Sequence, residues 1–204
     1  MRETFHPELT LQHYLWDSAQ GHVFTVLDGA SIPGLLERLA QETVEHVCLY
    51  RGDLAPDLAE TAPYVVRLEP GSPFTSWILK EGWGNHWGIF ALADAELRTM
   101  RRHFRTFLMV YSPEGKPLYF RYYDPRVLRV FLPTCNQAEL KTLFGPISSY
   151  VVEGEAPERV LHFSQGPKEL VRIETDMARP GSEANGFFAN TNGLNTRPIF
   201  QERN

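Results

Sequence analysis

The ten residues Tyr119-Phe120-Arg121-Tyr122-Tyr123-Asp124-Pro125-Arg126-Val127-Leu128 leave the backbone few options. Tyr119, Arg121 and Tyr123 alternate with Phe120 and Tyr122, which predicts a β-strand with aromatic side chains on both faces. Pro125 has a fixed φ and no N–H to give a ladder, so the strand must end there. The same ring suits the first turn of a helix. Asp124 is placed to cap that helix by accepting an otherwise free amide hydrogen bond. A helix over residues 126–132 is therefore expected. Asp124 also stands between Arg121 and Arg126, so an ion pair locking the corner is expected.

Upstream, short apolar runs alternate with helical spacing. Residues 22–27 read as a buried strand ended by Asp28-Gly29. Leu35, Leu36, Leu39 and Ala40 give a helix over 32–43. Strands over 44–50 and 63–68 bracket a short helix over 53–60. Strand, helix, strand, helix, strand predicts an α/β layer with parallel neighbours and right-handed crossovers. A two-turn helix around Phe74 and Trp77 leads to the glycine–tryptophan loop Gly82-Trp83-Gly84-Asn85-His86-Trp87-Gly88. A helix capped by Asp94 follows, with Leu97, Met100, Phe104, Phe107 and Leu108 on one face. Arg98, Arg101, Arg102 and Arg105 form the opposite stripe at i, i+3, i+4 and i+7.

Residues 106–111 and the aromatic strand flank a turn at 112–117, an antiparallel pair. A helix over 137–144 ends at Gly145-Pro146, and strands over 148–153 and 159–163 complete the body. The expected fold is α/β: a mixed sheet with a parallel N-terminal βαβαβ portion and antiparallel C-terminal strands, helices packed on it. Three regions are expected: a leader at 1–20, the α/β domain at 21–164 and an extended tail at 165–204. Leu11, Tyr14, Leu15 and Ser18 give the leader helical spacing, so it is either a helix packed on the body or a partly ordered segment.

Composition narrows the function. Hydrophobic residues make up 43% of the 204, enough for a core. A net charge of −5 argues against a dedicated nucleic-acid binder, and no apolar run approaches the ~18 residues of a membrane span. With no secretory h-region after Met1, a cytoplasmic protein without membrane contact is expected. Cys48 and Cys135 form neither a disulfide framework nor a metal pair. No Gly-x-Ser-x-Gly elbow, P-loop or dinucleotide fingerprint occurs. Neither a catalytic residue nor a cofactor or metal is therefore assigned.

Several side chains still invite a chemical reading. His86 could act as a base or ligand, or pack as a loop histidine beside Trp83 and Trp87. Asp28 lies at the end of a strand, where α/β sites gather, but it lacks a second carboxylate. Asp53, Asp57 and Glu60 could hold a cation or simply favour a helix start. The arginine stripe is a solvated face or a dock for an acidic protein surface. Phosphate binding is disfavoured by the acidic balance. Trp77, Trp83, Trp87, Tyr122 and Tyr123, in loops or at strand ends, are mostly core, and any left exposed are anchors for a protein partner.

The order of segments resembles a known family. Val26-Leu27-Asp28-Gly29-Ala30, Leu49-Tyr50-Arg51-Gly52 and residues 62–68 are similar to the opening of the type VI secretion effector-adaptor family, the Tap/Tec-type chaperones. Leu97-x-x-x-Arg101-Arg102-His103-Phe104-Arg105, Gly115-Lys116, Phe120-Arg121-Tyr122-Tyr123-Asp124-Pro125-Arg126-Val127 and Phe144-Gly145-Pro146 continue the likeness, which covers residues 23–153. It implies an adaptor that binds a toxic effector in the producing bacterium and helps load it onto the VgrG spike. It also implies a further lobe after the α/β domain, which the some fifty remaining residues would leave short or absent. The partner-binding set expected on this reading is Arg98, Arg101, Arg102, Arg105, Arg121, Tyr122 and Arg126, with Asp124 and Pro125 as a structural corner. The alternatives are an enzyme using His86 or Asp28, and a nucleic-acid binder using the arginine helix.

Overall fold

The computed structural model describes residues 7–17, 21–112, 114–178 and 183–187. Its strands are β1 (His22–Asp28), β2 (His46–Cys48), β3 (Pro63–Leu68), β4 (Gly88–Ala93), β5 (Met109–Tyr111), β6 (Pro117–Tyr119), β7 (Ile147–Glu153), β8 (Arg159–Gln165), β9 (Leu170–Asp176) and β10 (Glu183–Phe187). Eight of them form one sheet in the order β10-β9-β8-β7-β4-β1-β3-β2, while β5 and β6 make a separate hairpin. Every neighbouring pair runs antiparallel.

The expected parallel βαβαβ portion is therefore wrong. Strands β1 and β2 do run in the same direction, but β3 lies between them and opposes both. The expectation rested on apolar runs buried on both faces, a usual property of parallel strands. Here the same burial arises because helices cover both faces of an antiparallel sheet. Strand β1 shows it: Phe24 and Val26 enter one core, Val23 and Leu27 the other.

The helices are α1 (Pro7–Asp17), α2 (Leu35–Gln41), α3 (Pro56–Thr61), α4 (Pro73–Trp77), α5 (Leu97–Arg105), α6 (Pro125–Phe131) and α7 (Gln137–Phe144). Residues of α5, α6 and α7 pack on the Phe24 face. Residues of α1, α2 and α4, with the π-turn Ile78–Gly82, pack on the opposite face. Within α1, Leu11 and Leu15 are fully buried, so this part of the expected leader belongs to the body. Strand β9, which fell within the expected tail, extends the sheet beyond β8. Ser18, Pro113 and residues 190–195 lie outside the described residues.

Two local expectations also change. Helix α5 starts after Glu96, not Asp94, because its first bonds run from Thr99 N and Met100 N to the Glu96 carbonyl. The aromatic strand stops at Tyr119, and an Asp124 N to Arg121 O bond closes a turn before α6. In a strand, Tyr122 and Tyr123 would point to opposite faces. The turn lets both enter the same core.

Tyr122 is 1% exposed and stacks on Phe104 with ring centroids 5.7 Å apart. Phe107 meets it edge-on at 4.5 Å, and the Tyr122 hydroxyl donates to the Phe104 carbonyl at 3.0 Å. This one side chain ties the corner to α5. We expect Tyr122→Ala to cost about 3–5 kcal/mol of unfolding free energy, measured by urea denaturation.

Candidate functional site

The Asp-Pro corner is a lock between neighbours in sequence. Asp124 caps α6 by accepting from Arg126 N at 2.9 Å. It also takes the Arg126 guanidinium with both oxygens, at 2.9 and 2.7 Å. Burial alone would raise the Asp124 carboxyl. The paired guanidinium and the backbone N–H outweigh it and hold the group below its ordinary value. Arg121 goes elsewhere: its guanidinium pairs with Asp28, at the end of β1. Asp28 also accepts from Ala30 N at 3.3 Å and Ser31 Oγ at 2.9 Å. The Asp28 carboxylate, read from sequence as a site candidate, thus braces the first strand against the corner.

His86 sits in a second lock. It has φ +60°, and its Nδ1 contacts the buried Glu153 carboxylate. Glu153 also accepts from Gly84 N, while Trp83 Nε1 donates to Pro157 O at 2.6 Å. The glycine–tryptophan loop is thereby tied to the end of β7. Glu153 was missed in the sequence; its signal is a single carboxylate closing the apolar run Tyr150-Val151-Val152. His86 and Asp28 belong to separate clusters, each with its own partner. Asp53, Asp57 and Glu60 are exposed, and Cys135 is buried, which pushes its thiol well up. Among the described residues, no group of three or more His, Cys, Asp or Glu side chains could hold a metal ion.

The arginine stripe divides in two. Arg105 donates through Nε to Leu49 O at 2.7 Å and through Nη2 to Cys48 O at 3.3 Å, and it also reaches Tyr50 O. Arg101 Nε adds a bond to Cys48 O at 3.3 Å. These two serve the chain just past edge strand β2. Arg98 and Arg102 are exposed. Of the other expected contacts, Arg126 is committed to Asp124 though 52% exposed, and Tyr122 lies in the core, out of reach of a partner.

Beside Arg105 an open groove of about 560 Å³ runs between residues 49–58 and the β5–β6 hairpin. Leu49, Leu54 and Leu58 line it from the first segment, and Leu108, Met109 and Tyr119 from the hairpin side. Leu58 is 45% and Tyr119 68% exposed, and their gathering in one groove, rather than either exposure alone, marks an interaction surface. Arg51 and Arg105 are the charged residues of its lining. The sequence reading passed over this groove. Its one local clue is Leu54 and Leu58, four apart among the acids Asp53, Asp57 and Glu60.

Fold and groove together describe a sheet covered by helices on both faces, with an open groove beyond edge strand β2 that is lined by apolar side chains and two arginines. Residues 23–142 match the family model described as a domain of unknown function, DUF4123, and the chain belongs to that family. No curated protein and no solved structure matches the chain. The family match takes in β1 from Val23 onward and every residue of the groove lining. Glu153 and the strands after it lie beyond it. Among the described residues, no helix is long and apolar enough to cross a membrane.

Asp124→Asn keeps a capping side chain but removes the charge. At pH 7 we expect a loss of about 0.5–1 kcal/mol, small because Arg126 is half exposed. A carboxyl held below its ordinary value stabilises above the unfolded aspartate pKa of about 3.9, and that contribution fades as pH falls through the folded value. The gap between variant and parent should therefore narrow as pH falls below the unfolded aspartate pKa of about 3.9, read in urea titrations at stepped pH.

Proposed function

We propose that this chain is an adaptor that binds a type VI secretion effector in the cytoplasm of the producing cell and helps load it onto the VgrG spike. The observation that carries this reading is the open groove with exposed apolar walls and arginine edges, on a chain of the DUF4123 family. A partner protein would cover Leu58 and Tyr119 and answer the arginines. Arg98 and Arg102, on the outer side of α5, would extend the contact or steer the encounter. The resemblance of the Arg101-Arg102-His103-Phe104-Arg105 helix and the Asp124 corner to effector adaptors supports the same assignment.

The test is co-purification of the tagged chain with the toxin encoded beside its gene and with the spike. Arg98→Glu with Arg102→Glu should reduce captured effector or spike about tenfold while the melting temperature stays unchanged. Full capture by the double variant would remove these arginines from the interface. Absence of both partners from wild-type eluates would overturn the adaptor reading. Salt-sensitive retention of generic DNA at physiological ionic strength would support the nucleic-acid alternative instead.

A further inference from the structure

The groove carries more information than its exposure. Three arginines converge at its β2 end: Arg51, Arg101 and Arg105. Desolvation, then the charges of Arg101 and Arg51, lower the Arg105 pKa from its usual value. No carboxylate lies within ion-pair distance of any of the three among the described residues. The groove lining contains no acidic side chain either. A chain with net charge −5 has thus gathered positive charge without ion-pair partners at this groove, the exposed carboxylates of Asp53, Asp57 and Glu60 standing outside its lining. Like charges held together this way favour an anionic occupant.

The backbone decides the occupant's shape. An extended segment would dock by adding a strand, and for that it needs free carbonyls at the edge. The carbonyls of Cys48, Leu49 and Tyr50 are already taken by Arg101 and Arg105. A helix satisfies its own backbone and needs only a slot for one row of side chains. The hairpin supplies the matching wall. In its register Met109 opposes Tyr119 and Tyr111 opposes Pro117, so these four share one face. Tyr111 is itself exposed.

We propose that the groove between residues 49–58 and the β5–β6 hairpin receives an acidic amphipathic helix of a partner protein, its apolar row seated between Leu58 and Tyr119 and its carboxylates on Arg51 and Arg105. This rests on the adaptor reading only in requiring a protein partner.

The probe is a fluorescein-labelled peptide of about 18 residues, long enough to hold a helix, with Leu at i, i+3, i+4 and i+7 and Glu at most other positions. A counterpart with Lys for Glu and a second with its leucines scattered around the helix serve as comparisons. Fluorescence anisotropy with the full chain should show saturable binding of the acidic amphipathic peptide alone, weakened by added salt. Leu58→Asp, Tyr119→Asp and Arg51→Glu alter exposed side chains and should each weaken it about tenfold with melting temperature unchanged. Val130→Asp, an exposed change away from the groove, should leave affinity intact.

Absence of saturable binding, equal binding of either comparison peptide, or indifference to all three groove substitutions would overturn the proposal. A chain dimer dissolved by Leu58→Asp and not displaced by the peptide would also overturn it, assigning the groove to a second copy. Effector and spike capture that both survive these groove variants would sink the groove proposal and leave the adaptor reading standing. Peptide binding without effector or spike capture would do the reverse.

Discussion

Strand β1 is buried along both faces, and the rest of the molecule is arranged to satisfy it. Phe24 and Val26 need one apolar cover, Val23 and Leu27 another. Helices must therefore lie on both sides of the sheet. Helix α5 supplies part of the first cover through Leu97, Met100 and Phe104. Because a helix with one face in the core turns its other face outward, the arginines of α5 arrive beside the end of β2. Arg101 and Arg105 then donate to the carbonyls of residues 48–50, where the chain leaves β2. The placement of the groove follows from the way β1 is buried.

Two carboxylate locks hold this arrangement at different ranges. Asp124 and Arg126 are neighbours and stiffen the start of α6. Asp28 and Arg121 are far apart in the chain and fasten the end of the central strand to the corner. Between them Tyr122 and Tyr123 turn into the core. Glu153 plays a comparable part across the sheet, receiving His86 and Gly84 from the glycine–tryptophan loop. The titratable groups that drew notice as catalytic candidates are each engaged in joining segments. The positive charge that no carboxylate answers collects instead at Arg51 and Arg105 in the groove lining and at the exposed Arg98 and Arg102 on α5. That distribution suits recognition of another protein, where desolvated arginine beside exposed aromatic and aliphatic side chains makes strong anchors.

Much of this was legible in the sequence, and the failures have physical causes. Periodicity found β3 with its limits intact and the apolar face of α5, since local spacing alone determines which residues can share a face. Pro125 and Asp124 announced the corner and its cap, because a missing N–H and a capping carboxylate act within a few residues. Strand direction was not legible: residues buried on both sides look the same in a parallel sheet and in an antiparallel one covered twice. The division of the arginine stripe was hidden too, since the carbonyls that consume Arg101 and Arg105 lie more than fifty residues upstream. So was Glu153, whose partners come from the loop of residues 82–88.

By itself, then, the sequence determined the type and order of many elements, which faces are apolar, and that Pro125 opens a helix capped by Asp124. Each of these depends on bonds and side chains within one or two turns. Only the tertiary structure decided the antiparallel order of the sheet, the pairing of Asp28 with Arg121, and the groove between residues 49–58 and the β5–β6 hairpin. Those depend on segments that meet after folding, where burial and charge compensation are settled between residues the chain holds far apart.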